Sequence, residues 1–337
     1  MKRLAVAAGI LALAGTGLTD AARAQSVQVF PIPSPSSSPG DITAGPDGAL
    51  WFTERDGNRI GRITTMGTIT EFVIPTARSQ PSGIVAGPDS SLWFTETGAG
   101  QIGRITTAGS ITEFGICQDA NDSSQPFAIT AGSDGNLWFT DNLGAIGRIT
   151  QSGVVTRFPL PADGNGALPR PFAITAGADG NLWFTEPNLN RIGRMGTGGS
   201  ILEFAVPTKN GRPLAIAAGR DRNIWFVEDP LPAPFSDGPK IARISTLGNV
   251  LEFRLPDRES VPGHVAIGAG GKVWFTDDHF RTIRSISTFG DFGKREYPVG
   301  GSRLGESSLA IAVGPDGSIW FTDPAENGIG RVALRRR

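Results

Sequence analysis

The chain has 337 residues, 31 of them basic and 32 acidic, for a formal net charge of −1. That balance excludes the electrostatic footprint of a nucleic-acid binder or of a protein held on an anionic membrane. Forty-six glycines and 25 prolines against three methionines and one tyrosine point to many turns and short strands, hence an all-β fold.

The chain opens Met1-Lys2-Arg3, runs through an apolar stretch from Leu4 to about Leu18, and reaches Ala22-Arg23-Ala24 before Gln25. A basic start, a short apolar core and a small-x-small site predict a secretory signal over residues 1–24, too short and wrongly flanked for a membrane span. The mature protein is expected to begin near Gln25, in the periplasm or outside the cell. The single cysteine, Cys117, has no partner for an internal disulfide. Stability therefore has to come from packing and strand pairing.

Next come Val29-Phe30-Pro31-Ile32-Pro33 and then a repeat, the signature of a propeller or solenoid. All seven tryptophans, Trp51, Trp93, Trp138, Trp183, Trp225, Trp274 and Trp320, fall in a motif of the general form Leu/Ile/Val-Trp-Phe-Thr-acid. Each unit reads as four short strands, in the second unit Gly83-Ile84-Val85-Ala86, Leu92-Trp93-Phe94-Thr95, Ile102-Gly103-Arg104-Ile105 and Ile111-Thr112-Glu113-Phe114. Turn pairs such as Asp47-Gly48 and Met66-Gly67 separate them. Four antiparallel strands repeated radially make a propeller blade. The last unit stops after Gly330-Arg331-Val332 without its fourth strand, and Val29-Phe30-Pro31-Ile32-Pro33 matches the fourth-strand pattern Glu71-Phe72-Val73-Ile74-Pro75. The N-terminal segment is thus expected to complete the seventh blade and remove an open edge. The prediction is a single seven-bladed β-propeller over residues 25–334, with Arg335-Arg336-Arg337 as a solvated basic tail.

What recurs in every unit solves a problem of every unit, so function is sought where the symmetry breaks. The Trp-Phe pair is read as core between blades. An acid follows each Trp by three residues: Glu54, Glu96, Asp141, Glu186, Glu228, Asp277 and Asp323. Arginine recurs in the third strand as Arg62, Arg104, Arg148, Arg194, Arg243 and Arg331, with Ser285 in that place in the sixth unit. The reading is a ring of acid–arginine pairs, in which the sixth unit has the least compensated acid. Both histidines of the chain lie in that unit, His264 at the start of its inner strand and His279 just after Asp277-Asp278. His264 and His279 are candidate catalytic groups, and Asp277 and Asp278 candidate metal ligands, all predicted toward one face. Longer connections at Ile116 to Gln125, Pro161 to Arg170 and Asp229 to Gly238 are predicted on the same face, as a surface for a small-molecule or protein ligand.

The unit Leu-Trp-Phe-Thr-Glu, Asn58-Arg59-Ile60-Gly61-Arg62-Ile63-Thr64, and Gly67-Thr68-Ile69-Thr70-Glu71-Phe72-Val73-Ile74-Pro75 resembles the repeat of the virginiamycin B lyase (streptogramin lyase) family, over nearly the whole mature chain. The resemblance implies a propeller that opens the ester-closed ring of type B streptogramins by elimination, using Mg2+ and an essential histidine. The family's histidines directly follow the proline that begins an inner strand, and a metal-binding glutamate stands two before one of them. Here Gly40, Ser82, Phe127, Phe172, Leu214 and Gly263 follow those prolines, and Leu309 follows Ser308. His264 comes one residue late in Val261-Pro262-Gly263-His264, with Val261 in the glutamate's place. Strand alternation would turn His264 away from the channel, whereas a bulge at Pro262-Gly263 would return it. The sequence reading is a monomeric ligand- or protein-binding module. The alternative is a metal-assisted carbon–oxygen lyase or lactone hydrolase acting on a cyclic ester.

Overall fold

The computed structural model describes residues 27–116, 123–229, 238–300 and 309–334. The expected signal over 1–24, Cys117, parts of the 116–125 and 229–238 connections, and the tail 335–337 lie outside the described residues.

Seven antiparallel sheets of four strands each follow one another around a ring. Blade 1 shows the pattern, with an inner strand Pro39–Ala44, a second strand Leu50–Glu54, a third Arg59–Ile63 and an outer strand Ile69–Val73. Alternation fixes what each side chain meets. Leu50, Phe52 and Glu54 share one face with Arg59, Gly61 and Ile63; Trp51 and Thr53 share the other with Ile60 and Arg62. The Trp51 face packs on the next blade, where Trp51, Ile60 and Phe72 join Leu92, Phe94 and Ile105 in one buried cluster. The Phe52 face needs a gap above the ring, and Gly61 supplies it: a Cβ there would lie 2.1 Å from Phe52 Cζ.

Trp51 stacks on Phe72 at 5.6 Å between centroids, and its Nε1–H donates to Asp47 Oδ1 at 3.0 Å. The same Trp–Asp bond recurs at Trp93, Trp138, Trp183, Trp225 and Trp320. A buried indole N–H without an acceptor costs about 1–3 kcal/mol. The acid of the Asp-Gly turn therefore serves the core as well as the turn.

The ring closes as the sequence predicts. Val27–Pro31 pairs antiparallel with Gly328–Val332, from Val27 opposite Val332 to Pro31 opposite Gly328. Phe30 stacks on Trp320 at 5.7 Å, and the Thr322 hydroxyl donates to the Gly40 carbonyl at 2.8 Å.

The expected acid–arginine ring is corrected. Arg62 lies directly opposite Trp51, on the face that Glu54 does not share, and its guanidinium meets Asp47 at 2.6 Å. Arg104, Arg243 and Arg331 likewise meet the turn acids Asp89, Asp221 and Asp316. The sixth unit has Ser285 in the arginine place and Gly270 in the turn-acid place, so both partners are missing together. The acids at the ends of the second strands are wholly buried between blades. Asp141, Asp277 and Asp323 are ion-paired with Arg157, Arg284 and Arg281, whereas Glu54, Glu96, Glu186 and Glu228 each lie against a second glutamate. Asp277 is thus compensated, by Arg284 at 3.4 Å.

Candidate functional site

The inner strand of blade 6, Pro262–Ile267, carries a bulge at its start. Pro262 stands opposite Asp277 and Val265 opposite Phe275, so Gly263 and His264 share the single place opposite Thr276. The Thr276 hydroxyl accepts the backbone N–H of His264 at 2.9 Å. The motif threonine makes this bond in other blades too: Thr53 accepts from Asp41, Thr95 from Gly83, Thr140 from Ala128, Thr185 from Ala173 and Thr322 from Ala310. The hydroxyls of Thr53, Thr95 and Thr140 also donate to the next blade, to the carbonyls of Ser82, Phe127 and Phe172. Blade 5 has Val227 in that place and lacks the hydroxyl.

Because the bulge suspends alternation, both the residue after the proline and the one following it reach the channel wall. His264 lines a cavity of about 470 Å³ at the channel mouth, together with Asp41, Arg55, Phe127 and Phe172. Asp41 and His264 hold the same place in blades 1 and 6, in the matching contexts Pro39-Gly40-Asp41 and Pro262-Gly263-His264. The other blades carry Gly83, Ala128, Ala173, Ala215 and Ala310 there, all small. Two polar side chains therefore project into a layer whose other members leave space.

Burial holds the His264 imidazole at a pKa of about 4, so it is neutral at pH 7. The ring makes no hydrogen bond or ion pair with another described residue. Burial pushes Asp41 up to about 6, opposed by the N–H groups of Ile84 and Ile42, which donate at 3.0 and 2.9 Å. Arg55 sits in the turn after the second strand of blade 1, exposed at the rim. Phe127 and Phe172 meet at 4.7 Å between centroids, tilted by 34°. The mouth thus combines a neutral imidazole, a carboxyl, a guanidinium and an aromatic pair.

A second cleft, of about 1000 Å³, adjoins the first through Phe172 and is lined by Leu143, Leu168, Arg170 and Arg212 among others. The connection Pro161 to Arg170 builds one wall of it. Asp163 Oδ1 accepts the N–H groups of Asn165 and Ala167, and Asn188 bridges the Leu168 carbonyl and the Arg170 N–H at 2.9 Å each. That long connection lines a concave surface.

The remaining predicted residues do not line the cavity that holds His264. One Asp277 oxygen accepts the N–H groups of Val261 and Phe280 while the other meets Arg284. Asp278 Oδ1 accepts the Leu309 N–H at 3.3 Å. His279 Nε2 lies 3.6 Å from Glu259 Oε2, with its ring edge-on to Phe280. Among the described residues no group of three or more His, Cys, Asp or Glu side chains is placed to hold a metal ion. The residues around Asp277 and Asp278 do not fit the Mg2+ that the resemblance implies, since their oxygens already serve backbone N–H groups and Arg284. The sequence reading missed Asp41 and Arg55. The shared Pro-Gly-x start of units 1 and 6 is the signal that identifies Asp41.

A closed seven-bladed propeller with a histidine held at one mouth of its channel defines the class of protein. Residues 14–231 and 235–336 match the virginiamycin B lyase family, and the chain belongs to that family. A streptogramin B lyase structure superposes with a TM-score of 0.81 at 31% identity, covering 92% of this chain and 98% of the other. The selenomethionine-substituted virginiamycin B lyase from Staphylococcus aureus gives 0.81 at 34% identity, covering 92% and 99%. A catalytically inactive histidine-to-alanine variant of the Staphylococcus aureus enzyme, solved with Quinupristin, gives 0.80 at 34%, covering 92% and 99%. A virginiamycin B lyase of Bacillus licheniformis is 48% identical over 40 residues, which is 12% of this chain and 14% of that protein.

Proposed function

We propose that this member of the family is an exported propeller that binds a small molecule at the channel mouth around His264, rather than an active streptogramin lyase. The observation that carries this reading is the chemistry of the mouth. Opening a ring by elimination needs a base at the acidic proton and an electrophile at the leaving oxygen. His264, near 4, is a weak base, and no described carboxylate cluster is built to hold the electrophilic metal. What remains suits recognition: His264 offers one ring donor and one acceptor, Asp41 a carboxyl, Arg55 a guanidinium, and Phe127 with Phe172 an aromatic wall. The signal-like start of the chain supports export.

A second reading, a carbon–oxygen lyase or lactone hydrolase acting on a cyclic ester, is favoured by one observation. The bulge of blade 6 turns a neutral imidazole into the channel, where it has a lone pair for a proton. The two readings separate when purified mature protein is incubated with a type B streptogramin and magnesium and the products are resolved by chromatography. The binding reading predicts a peptide lactone recovered intact. Ring opening that disappears in His264→Ala establishes the second.

A further inference from the structure

The mouth carries opposite charges on one wall, that of blade 1, and the proposal drawn from them rests on the binding reading above. Asp41 and Arg55 both belong to blade 1 and both line the cavity. They are not ion-paired with each other among the described contacts. Each Asp41 oxygen accepts one backbone N–H, Oδ1 from Ile42 and Oδ2 from Ile84, which fixes the carboxyl in one orientation. A carboxylate oxygen has acceptor capacity beyond one bond, so the side of Asp41 facing the cavity is free to take a cationic or N–H donor. Arg55 is exposed, and its guanidinium makes no hydrogen bond or ion pair with a described residue. That is the form in which a guanidinium takes a carboxylate, through two parallel N–H donors. Across the cavity Phe127 and Phe172 present ring surface. The layer between holds only glycine, alanine and His264.

We propose that the channel mouth is a receptor site for a small zwitterion, an amino acid or short peptide with free ends and an apolar side chain. Its ammonium group meets Asp41, its carboxylate meets Arg55, and its side chain lies on Phe127 and Phe172. His264, whose ring bonds to no other described residue, completes the site as donor and acceptor for a polar group between the two ends. The specificity is a matter of charge pairs: a ligand lacking either end leaves a charged wall group desolvated and unpaired.

The test is isothermal titration of the mature protein with three probes, L-phenylalanine, its carboxamide and its N-acetyl derivative. L-phenylalanine is expected to bind, and each blocked form to bind at least about tenfold more weakly, the range expected for losing a charge-assisted bond. Arg55→Gln should remove the discrimination against the carboxamide while leaving that against the N-acetyl form. Asp41→Asn should do the reverse. Arg55 is exposed and among the described residues bonds only through its backbone, so Arg55→Gln keeps the test valid if Asp41→Asn weakens folding. Equal binding of the three probes, or no binding of any, overturns the inference. A type B streptogramin run alongside separates the two levels: streptogramin binding lost in His264→Ala, with no phenylalanine binding, keeps the mouth as a ligand site and discards the zwitterion.

Discussion

The hydroxyl of Thr276 accepts the backbone N–H of His264 at 2.9 Å, within the bulge at which the imidazole turns into the channel. Blade 5 keeps its own bulge between Pro213 and Ile216 with Val227 in the threonine place, so valine is tolerated there by the fold. Thr276→Val is expected to lose about 0.5–1.5 kcal/mol of stability, the worth of an ordinary hydrogen bond. It should also shift the ring resonances of His264 by NMR and weaken ligand binding. Thr95→Val in blade 2 should cost a similar amount and leave the His264 resonances in place. Identical His264 spectra in wild type and Thr276→Val would refute the assigned role.

The four buried glutamate pairs set the pH profile of stability. Burial, and after it the charge of the neighbouring glutamate, pushes Glu54, Glu96 and Glu228 up to about 8 and Glu186 to about 7. A carboxyl with a folded pKa above its unfolded value near 4.5 binds more protons in the folded state between the two values. Its contribution is present in full below about 4.5 and is lost as pH rises through 7 to 8. His264 runs the other way, gaining stability as pH rises from about 4 to 6.5, and so, at lower pH, do the turn acids whose pKa is lowered, such as Asp47 and Asp89. Thermal melts should therefore show Tm falling between about pH 5 and pH 8 and levelling off above. Glu96→Gln, which keeps the shape and removes the titration, should flatten part of that fall; a Tm that is flat or rises over this window contradicts the account.

Asp47 binds two groups at once, the Trp51 indole N–H and the Arg62 guanidinium. Asp47→Ala leaves a buried donor unpaired and should cost about 1–3 kcal/mol in denaturant unfolding. Asp47→Asn keeps an acceptor for Trp51 and should cost less. Equal costs would mean that the Trp51 bond contributes nothing.

Seven blades were legible because the Trp motif recurs once per blade and the truncated last unit points to the N-terminal strand as its missing piece. The charge pairing was misread because Glu54 is the nearest acid in the motif, whereas strand parity puts Arg62 on the face of Trp51 and leaves Glu54 on the opposite one. Parity is readable in the sequence, and counting it would have pointed to Asp47. His264 was harder. One residue decides its direction, and what settles it is the bulge between Pro262 and Val265, visible only once the strands are paired. Asp41 escaped notice because a lone acid at a strand start has no signal until it is aligned with His264 in a matching Pro-Gly context. Arg55 has no repeat counterpart, and its place at the mouth follows only from the closed ring.

Ring closure makes its own prediction. Phe30 lies on Trp320 in the sheet that joins the two ends of the chain. Phe30→Ala should destabilise by about 2–4 kcal/mol, toward the lower end of large-to-small aromatic substitutions because Phe30 is only half-buried. It should also raise hydrogen exchange in the Gly328–Val332 strand ahead of the other blades. Uniform exchange around the ring would contradict closure by this strand.

The most direct test of the account follows the His264 imidazole by 1H–15N NMR while the mature protein is titrated with L-phenylalanine, and in parallel incubates the protein with a type B streptogramin and magnesium. The account predicts saturable shifts of the His264 ring with L-phenylalanine, weakened in Asp41→Asn, and the peptide lactone recovered unopened. A ring-opened product that depends on His264, or His264 resonances unmoved by any ligand at the mouth, would contradict it.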